Sequence, residues 1–295
     1  MAQPSAYEQY FLELVNRARA NPGAEASRLG IDLNQGLSSG TIANTAKQPL
    51  AINQLLNDSA QAHSDWMLAT DTFSHTGANG SSAGDRMKAA GYAFTGSWTW
   101  GENISIRWGG GGGESAGTVE SLHDGLFKSA GHRTNILNDA FKEVGIGIGV
   151  GEYKGSTGAD ATQNFARSGG ATFLTGVAFD DKDGDRFYDP GEGMGAVKVS
   201  VTSSTGATYA TTTWDAGGYQ LALPAGDYTV AFSGSGLPAT VTQTAKIGSV
   251  NVKVDSTPTP AARRRRRCRP RPRRRRPRRR QRRASPGAAP PAPTS

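Results

Sequence analysis

Apolar residues recur at helical spacing at the start of the chain, where Tyr7, Tyr10, Phe11, Leu14, Val15 and Ala18 share one face. Ser5 and Glu8 frame this run as a capping box, and Pro22 marks its exit. Residues 29–47 have weak periodicity and many Gly, Ser and Asn, the composition of a loop. A second helix is expected from about Asp58 to Ala69, with Leu56, Ala60, His63 and Met67 along one face. A glycine-rich stretch (Gly77 to Gly84) precedes a short helix near Asp85 to Ala90. Another helix is expected from Ser115 to Lys128, where Val119, Leu122 and Leu126 step by helical intervals. Val144 to Val150 alternates Val or Ile with Gly, as in a strand packed closely against another backbone, and Thr162 to Ala166 is a second strand. This mixture predicts an α/β sandwich.

From Thr172 the period shortens. Strand-like runs at Thr172–Phe179, Val197–Thr202, Thr208–Thr213, Tyr219–Leu223, Tyr228–Phe232 and Val250–Val254 alternate with turns at Gly206, Asp215–Gly218 and Pro224–Asp227. Six short strands in such a span predict a small β-sandwich. Thr257-Pro-Thr-Pro260 begins a linker, beyond which the composition cannot form a core. Three units are therefore expected: residues 1–168, 172–255, and a disordered Thr/Pro then Arg/Pro-rich tail over 256–295.

Charge changes this picture only in the tail. Sixteen arginines lie between Arg263 and Arg283, so the formal +8 of the whole chain conceals a remainder of net −8. Nucleic-acid binding is expected only non-specifically, through that tail. A one-base frameshift of GC-rich Thr-Pro codons yields arginine codons, and the upstream Thr-Pro pair favours that origin for the tail. The single cysteine, Cys268, excludes an intramolecular disulfide and a cysteine metal site. No apolar run is long enough to span a membrane. The N-terminal segment, with Glu8 and Glu13 inside its apolar pattern, lacks the form of a signal peptide. Five glycines at 109–113 lack the Gly-Lys-Ser/Thr of a phosphate-cradling loop.

Three polar clusters carry candidate chemistry beside expected turns: Phe73-Ser-His75-Thr-Gly, Gly101-Glu102-Asn103-Ile and Ser129-Ala-Gly-His132-Arg-Thr-Asn135. Spacing alone does not bring His75, Glu102 and His132 together. With Leu-Val-Asn16-Arg-Ala-Arg, Ala60-Gln-Ala-His63-Ser-Asp-Trp-Met, Val144-Gly-Ile-Gly and Gln163-Asn-Phe165-Ala, these clusters resemble the CAP (SCP-like) superfamily in its cysteine-free bacterial form. The resemblance implies a three-layer α/β/α sandwich with an open cleft lined by His75, Glu102 and His132. Two imidazoles and a carboxylate suit zinc or another divalent metal, and equally a metal-free polar pocket. Animal and plant members have a second cleft glutamate that falls near Ser129 here, a departure that weakens metal binding.

Asn103 is expected to hold the glutamate segment through its side chain. Arg133 and Asn135 are expected to tie down the segment after His132. His63, on the apolar face of its helix, is expected to be a hydrogen-bonded core histidine. His123 is expected on an exposed or half-buried helix face. Ser129 lies three residues before His132, but no third orienting group and no Gly-x-Ser-x-Gly elbow accompany it.

Asp181, Asp183, Asp185, Asp189 and Glu192 occupy positions 1, 3, 5, 9 and 12 of a calcium-type loop, in which Arg186 stands where glycine is usual. Strands rather than helices should flank it. This segment and its continuation, through Trp214-Asp-Ala-Gly-Gly-Tyr219 to Tyr228-Thr-Val, resemble the calcium-binding B-type repeats of bacterial surface adhesins, which implies an Ig-like or prealbumin-like sandwich.

The expected protein is therefore a secreted or surface bacterial monomer. It would bind a small-molecule, lipid or cell-wall ligand in the cleft, with the second module as a calcium-stabilised spacer. The alternatives are a metal-dependent hydrolase using Glu102, His75 and His132, and a surface adhesion protein.

Overall fold

The computed structural model describes residues 3–108 and 113–258; four glycines of the 109–113 run, Cys268 and the arginine run lie outside them. Helix α1 (Ala6–Ala20) begins at the expected capping box: Ser5 Oγ accepts from the Glu8 N–H at 3.1 Å, and Glu8 Oε2 accepts from the Ser5 N–H at 2.7 Å. Pro22 ends this helix and opens another, α2 (Pro22–Arg28), because a proline is tolerated at the first helical position and Asn21 caps it. Helices α3 (Gln54–Ala69), α4 (Ala83–Ala89), α5 (Ala116–Lys128) and α6 (Ala130–Ile136) complete the set, with a 3-10 turn at Ala78–Gly80.

Strands β1 (Ala51–Ile52), β2 (Thr99–Trp108), β3 (Glu143–Tyr153) and β4 (Ser156–Arg167) form a sheet in the order β1-β3-β4-β2. The alternation along β3 separates two helix layers. Val144, Ile146 and Ile148 join one buried core with Phe11, Leu14 and Val15 of α1 and Val119, Leu122 and Leu126 of α5. Gly145 and Gly147 turn the other way, where a Cβ would lie 2.0 Å and 2.2 Å from the backbone of α3. Side chains of α3 reach the strand through this close approach: Asn57 Oδ1 accepts from the Ile146 N–H at 2.7 Å, and Gln61 Oε1 from the Ile148 N–H at 2.9 Å. A three-layer α/β/α arrangement results, with β2 at the open edge of its sheet.

The segment Gly101 to Ile104, expected beside a turn, is instead the middle of β2, paired antiparallel with β4 so that Glu102 faces Asn164. The His132 segment is helix α6.

Beyond Thr172, strands β5 (Phe173–Val177), β6 (Lys198–Ser203), β7 (Thr208–Thr212), β8 (Gly218–Ala222), β9 (Gly226–Ser233), β10 (Val241–Ile247) and β11 (Val252–Lys253) form two sheets, in the orders β10-β9-β6-β7 and β11-β5-β8. Leu174 and Tyr219 from one sheet and Val199, Val201, Val230 and Phe232 from the other share a single buried core. Strand β10 carries too few apolar residues for its period to stand out in the sequence. No helix among the described residues is long and apolar enough to cross a membrane.

Candidate functional site

Glu102 is the centre of a polar cluster at the β2 edge. Its side chain is 2% exposed, and each oxygen is engaged. His75 Nδ1 lies 2.8 Å from Oε1, and Arg86 of α4 donates to Oε2. In the orientation that satisfies its neighbours, the Asn164 carboxamide also donates to Glu102 Oε2, at 3.3 Å. Arg86 also donates to the carbonyls of His75 (3.0 Å) and Ser81 (2.9 Å), and so holds the His75 loop against the carboxylate. The His75 side chain remains 57% exposed. The cluster is thus a carboxylate paired with a guanidinium, orienting an imidazole whose other nitrogen is open to a ligand.

His132 approaches from the opposite layer. Asn103 Nδ2 donates to the His132 carbonyl (3.2 Å) and to Gln163 Oε1 (3.1 Å), while Asn135 Nδ2 donates to Asn103 Oδ1 (2.9 Å) and to the Glu102 carbonyl (3.2 Å). These bonds pin α6 to β2. Burial, then the nearby His75, lowers the pKa of His132 and favours its neutral form. Arg133 is fully buried and donates to the carbonyls of Phe127 (2.9 Å), Lys128 (3.1 Å) and Gln35. Ser129 caps α6 without a side-chain hydrogen bond.

His63 is buried behind the cluster. Its Nε2 lies 2.9 Å from the Ser74 carbonyl, and its ring stacks on Trp66 at 5.5 Å. Burial first, then Arg86, lowers its pKa, so Nε2 carries the proton and donates. His63 therefore fixes the backbone one residue before His75. His123 differs from its expected exposure. It is fully buried and lies 3.0 Å from Glu25, whose carboxylate also accepts from Arg17 and Arg28. Burial would raise the Glu25 carboxyl, but hydrogen bonds from His123, Arg17 and Arg28 hold it well below the usual carboxylate range.

Three acidic or histidine groups among the described residues bring their ligand atoms within 4.8 Å of one another: Glu25–His123–Asp124, Asp181–Asp183–Glu192 and Asp183–Asp185–Asp189. The first is already neutralised by arginines. His75, Glu102 and His132 do not close into such a group: His75 Nδ1 and Glu102 Oε1 lie 2.8 Å apart, and it is His132 that stands off from the pair.

In the 181–192 loop, Asp181, Asp183 and Asp185 each accept one backbone N–H, from Gly184 (2.9 Å), Asp185 (3.1 Å) and Phe187 (2.7 Å). Glu192 accepts from the N–H groups of Lys182 (2.8 Å) and Asp189 (3.1 Å). Burial, then Asp185, Glu192 and Asp183, raises the Asp189 carboxyl. Arg186 takes the left-handed conformation, φ +67°, at the position where glycine is usual.

The sequence reasoning missed Arg86 and Asn164. Arg86 lies within a short amphipathic helix, and no local pattern distinguishes it from a solvated arginine.

An α/β/α domain with a histidine–glutamate cluster at its sheet edge defines the class. The chain belongs to the cysteine-rich secretory protein (CAP) family, whose model matches residues 12–165. The matched region contains no cysteine. The uncharacterized protein YkwD of Bacillus subtilis is 30% identical over 143 residues, which cover 48% of this chain and 42% of that protein. The chain thus spans less than half the length of this relative. Similar solved structures include an extracellular SCP-domain protein from Bacillus anthracis, 26% identical with a TM-score of 0.36, covering 55% of this chain and 40% of that one. Another is an outer surface protein from Borrelia burgdorferi, 12% identical with a TM-score of 0.36, covering 57% of this chain and 97% of that one.

Proposed function

We propose that this CAP-family chain is an extracellular binding or effector protein whose ligand occupies the β2-edge cleft. Residues 1–168 form the ligand-binding unit, and 172–255 form a prealbumin-like module of the B-type repeat. The observation that carries this reading is the buried Glu102, held by Arg86 and orienting a largely exposed His75. A divalent cation in the cleft would be held by His75 Nε2 and His132, and would supply a Lewis-acidic contact to a ligand oxygen. Glu102 acts through His75. Its side chain is almost wholly shielded and both oxygens already accept hydrogen bonds, which supports an orienting rather than a proton-transfer role.

The second module carries the acidic loop of Asp181, Asp183, Asp185, Asp189 and Glu192 as its calcium site. Extracellular modules bind calcium at roughly 10⁻⁴–10⁻³ M, so this loop would fill outside a cell. That accords with membership of a secretory family. The adhesion alternative places the partner surface on this module instead.

Calorimetric titration of the full chain with zinc tests the cleft. Binding is expected in the parent and lost in His75→Ala and in His132→Ala. Zinc binding unchanged by both substitutions would place the metal elsewhere, and no binding would leave the cleft metal-free.

A further inference from the structure

Two exposed indoles lead along β2 to Glu102. Trp100 and Glu102 alternate on one face of this strand, about 6.6 Å apart, and Trp98 lies one residue before its start. Trp98 is 48% exposed and Trp100 38%, both large values for tryptophan beside a buried glutamate. Neither ring is loosely held. Trp98 packs on Phe94 at 5.1 Å, Phe94 meets the edge of Tyr92 at 5.1 Å, and the Tyr92 hydroxyl donates to Glu143 at 2.6 Å inside the core. Trp100 lies over Gly84 of α4, where a Cβ would meet its indole at 2.8 Å, two residues before the Arg86 that binds Glu102. Single exposed apolar residues are ordinary on protein surfaces, but pre-positioned aromatics beside a buried polar cluster mark a binding surface.

The charge of the cleft narrows the ligand. Glu102 is the buried carboxylate and Arg86 the guanidinium that pairs with it, so the cluster offers a bound molecule no net charge. The remaining open groups are hydrogen-bonding side chains, His75 foremost, and one further cation, Lys88, lies 5.9 Å from the Phe94 ring. Flat apolar platforms beside hydrogen-bonding groups and a compensated ion pair complement a molecule with apolar C–H faces and a hydroxylated rim. A row along a strand edge complements a linear chain of such units. We infer that the β2 edge binds an uncharged linear polysaccharide, with Trp98 and Trp100 as stacking platforms and the His75–Glu102 pair at the end of the track. This rests on the cleft reading above but not on a metal there.

The test is isothermal titration of the full chain with chitohexaose and with cellohexaose, both uncharged linear oligomers. Binding to at least one is expected, weakened roughly tenfold by Trp98→Ala and by Trp100→Ala. Trp108→Ala should leave it unchanged, since that indole is 52% exposed at the far end of the same strand. Trp100→Phe keeps a ring over Gly84 and should retain most of the affinity, which separates loss of stacking from loss of fold. The inference is overturned if neither oligomer binds at millimolar concentration, or if Trp108→Ala weakens binding as much as Trp100→Ala. It is also overturned if heparin or anionic phospholipid vesicles bind in a Trp100-dependent manner while the neutral oligomers do not. Sugar binding without zinc binding would retain this inference and remove only the metal, whereas zinc binding without sugar binding would do the reverse.

Discussion

Arg86 and Glu102 are worth most as a pair. The carboxylate is buried, and the guanidinium, with 13% of its side chain exposed, is the cation that compensates it. Removing one partner of a buried pair typically costs about 3–5 kcal/mol, because the survivor remains charged and poorly solvated. Arg86→Met should therefore destabilise the protein by about that amount, and Glu102→Gln in the same chain should restore most of it. Urea unfolding of both single variants and the double variant checks this coupling; additive losses would show that the two side chains act independently. Asp160 makes the opposite point about isolation. It is fully buried, and Oδ2 has no hydrogen-bond partner. Burial, reinforced by Asp65 and only partly offset by the Gly149 N–H, pushes its carboxyl up to about 8. The folded state therefore holds a proton that the unfolded chain releases near pH 4. That contribution is complete below the unfolded value and is lost as pH rises through the folded one. Stability should fall between about pH 4 and pH 8, by up to roughly 1.4 kcal/mol per pH unit. Asp160→Asn should flatten that slope, measured by melting temperature across the range.

At the level of elements, the contact between α3 and β3 depends on two missing side chains. A Cβ on Gly145 would lie 2.0 Å from a backbone atom of Leu56, and backbone cannot rotate out of the way as a flexible side chain can. Gly145→Ala should displace the helix, break the Asn57 and Gln61 bonds to the strand, and cost more than about 3 kcal/mol. Gly117→Ala, where nothing lies within 4 Å, is the control and should be neutral to stabilising in denaturant unfolding. The alternation of Gly with Val and Ile made this contact legible in the sequence, as the capping box did for α1. Strand β2 was not legible, because its burial inverts the usual pattern: Glu102 and Asn103 occupy buried positions while Trp100 and Trp108 are exposed. Pro22 was half legible, since a residue that ends one helix also suits the first position of the next. His75, Glu102 and His132 could be grouped only through family resemblance. Arg86 and Asn164 escaped because their roles exist only once α4 and β4 close on β2.

The two halves of the described chain share a core. Val177, Phe179 and Tyr188 belong to the same buried cluster as α1, and the Tyr188 hydroxyl donates to the Ala6 carbonyl at 3.3 Å. Phe187 meets the Tyr10 ring edge-on at 6.0 Å and lies under the Arg17 guanidinium at 5.2 Å. Lys253 of β11 pairs with buried Glu13 of α1 at 2.9 Å, and Asn251 donates to the carbonyls of Pro49 (3.0 Å) and Lys142 (2.7 Å). A flexible spacer would not be built this way; residues 172–258 complete the wall behind α1. Phe187 and Tyr188 also lie inside the acidic loop, between Asp185 and Asp189, so whatever orders that loop also seats both rings against α1. Heating should therefore unfold residues 3–258 in a single transition. With calcium a few-fold above its dissociation constant, about 1 kcal/mol of stabilisation is expected, or a few degrees of melting temperature. Chelation by EDTA should lower that one transition as a whole. In Phe187→Ala/Lys253→Met the seam should open into two transitions, of which only the one from the β-rich half responds to EDTA. Scanning calorimetry with and without calcium separates these outcomes. Two transitions in the unsubstituted protein would show that the halves fold independently and that the rings rest against α1 without coupling to it.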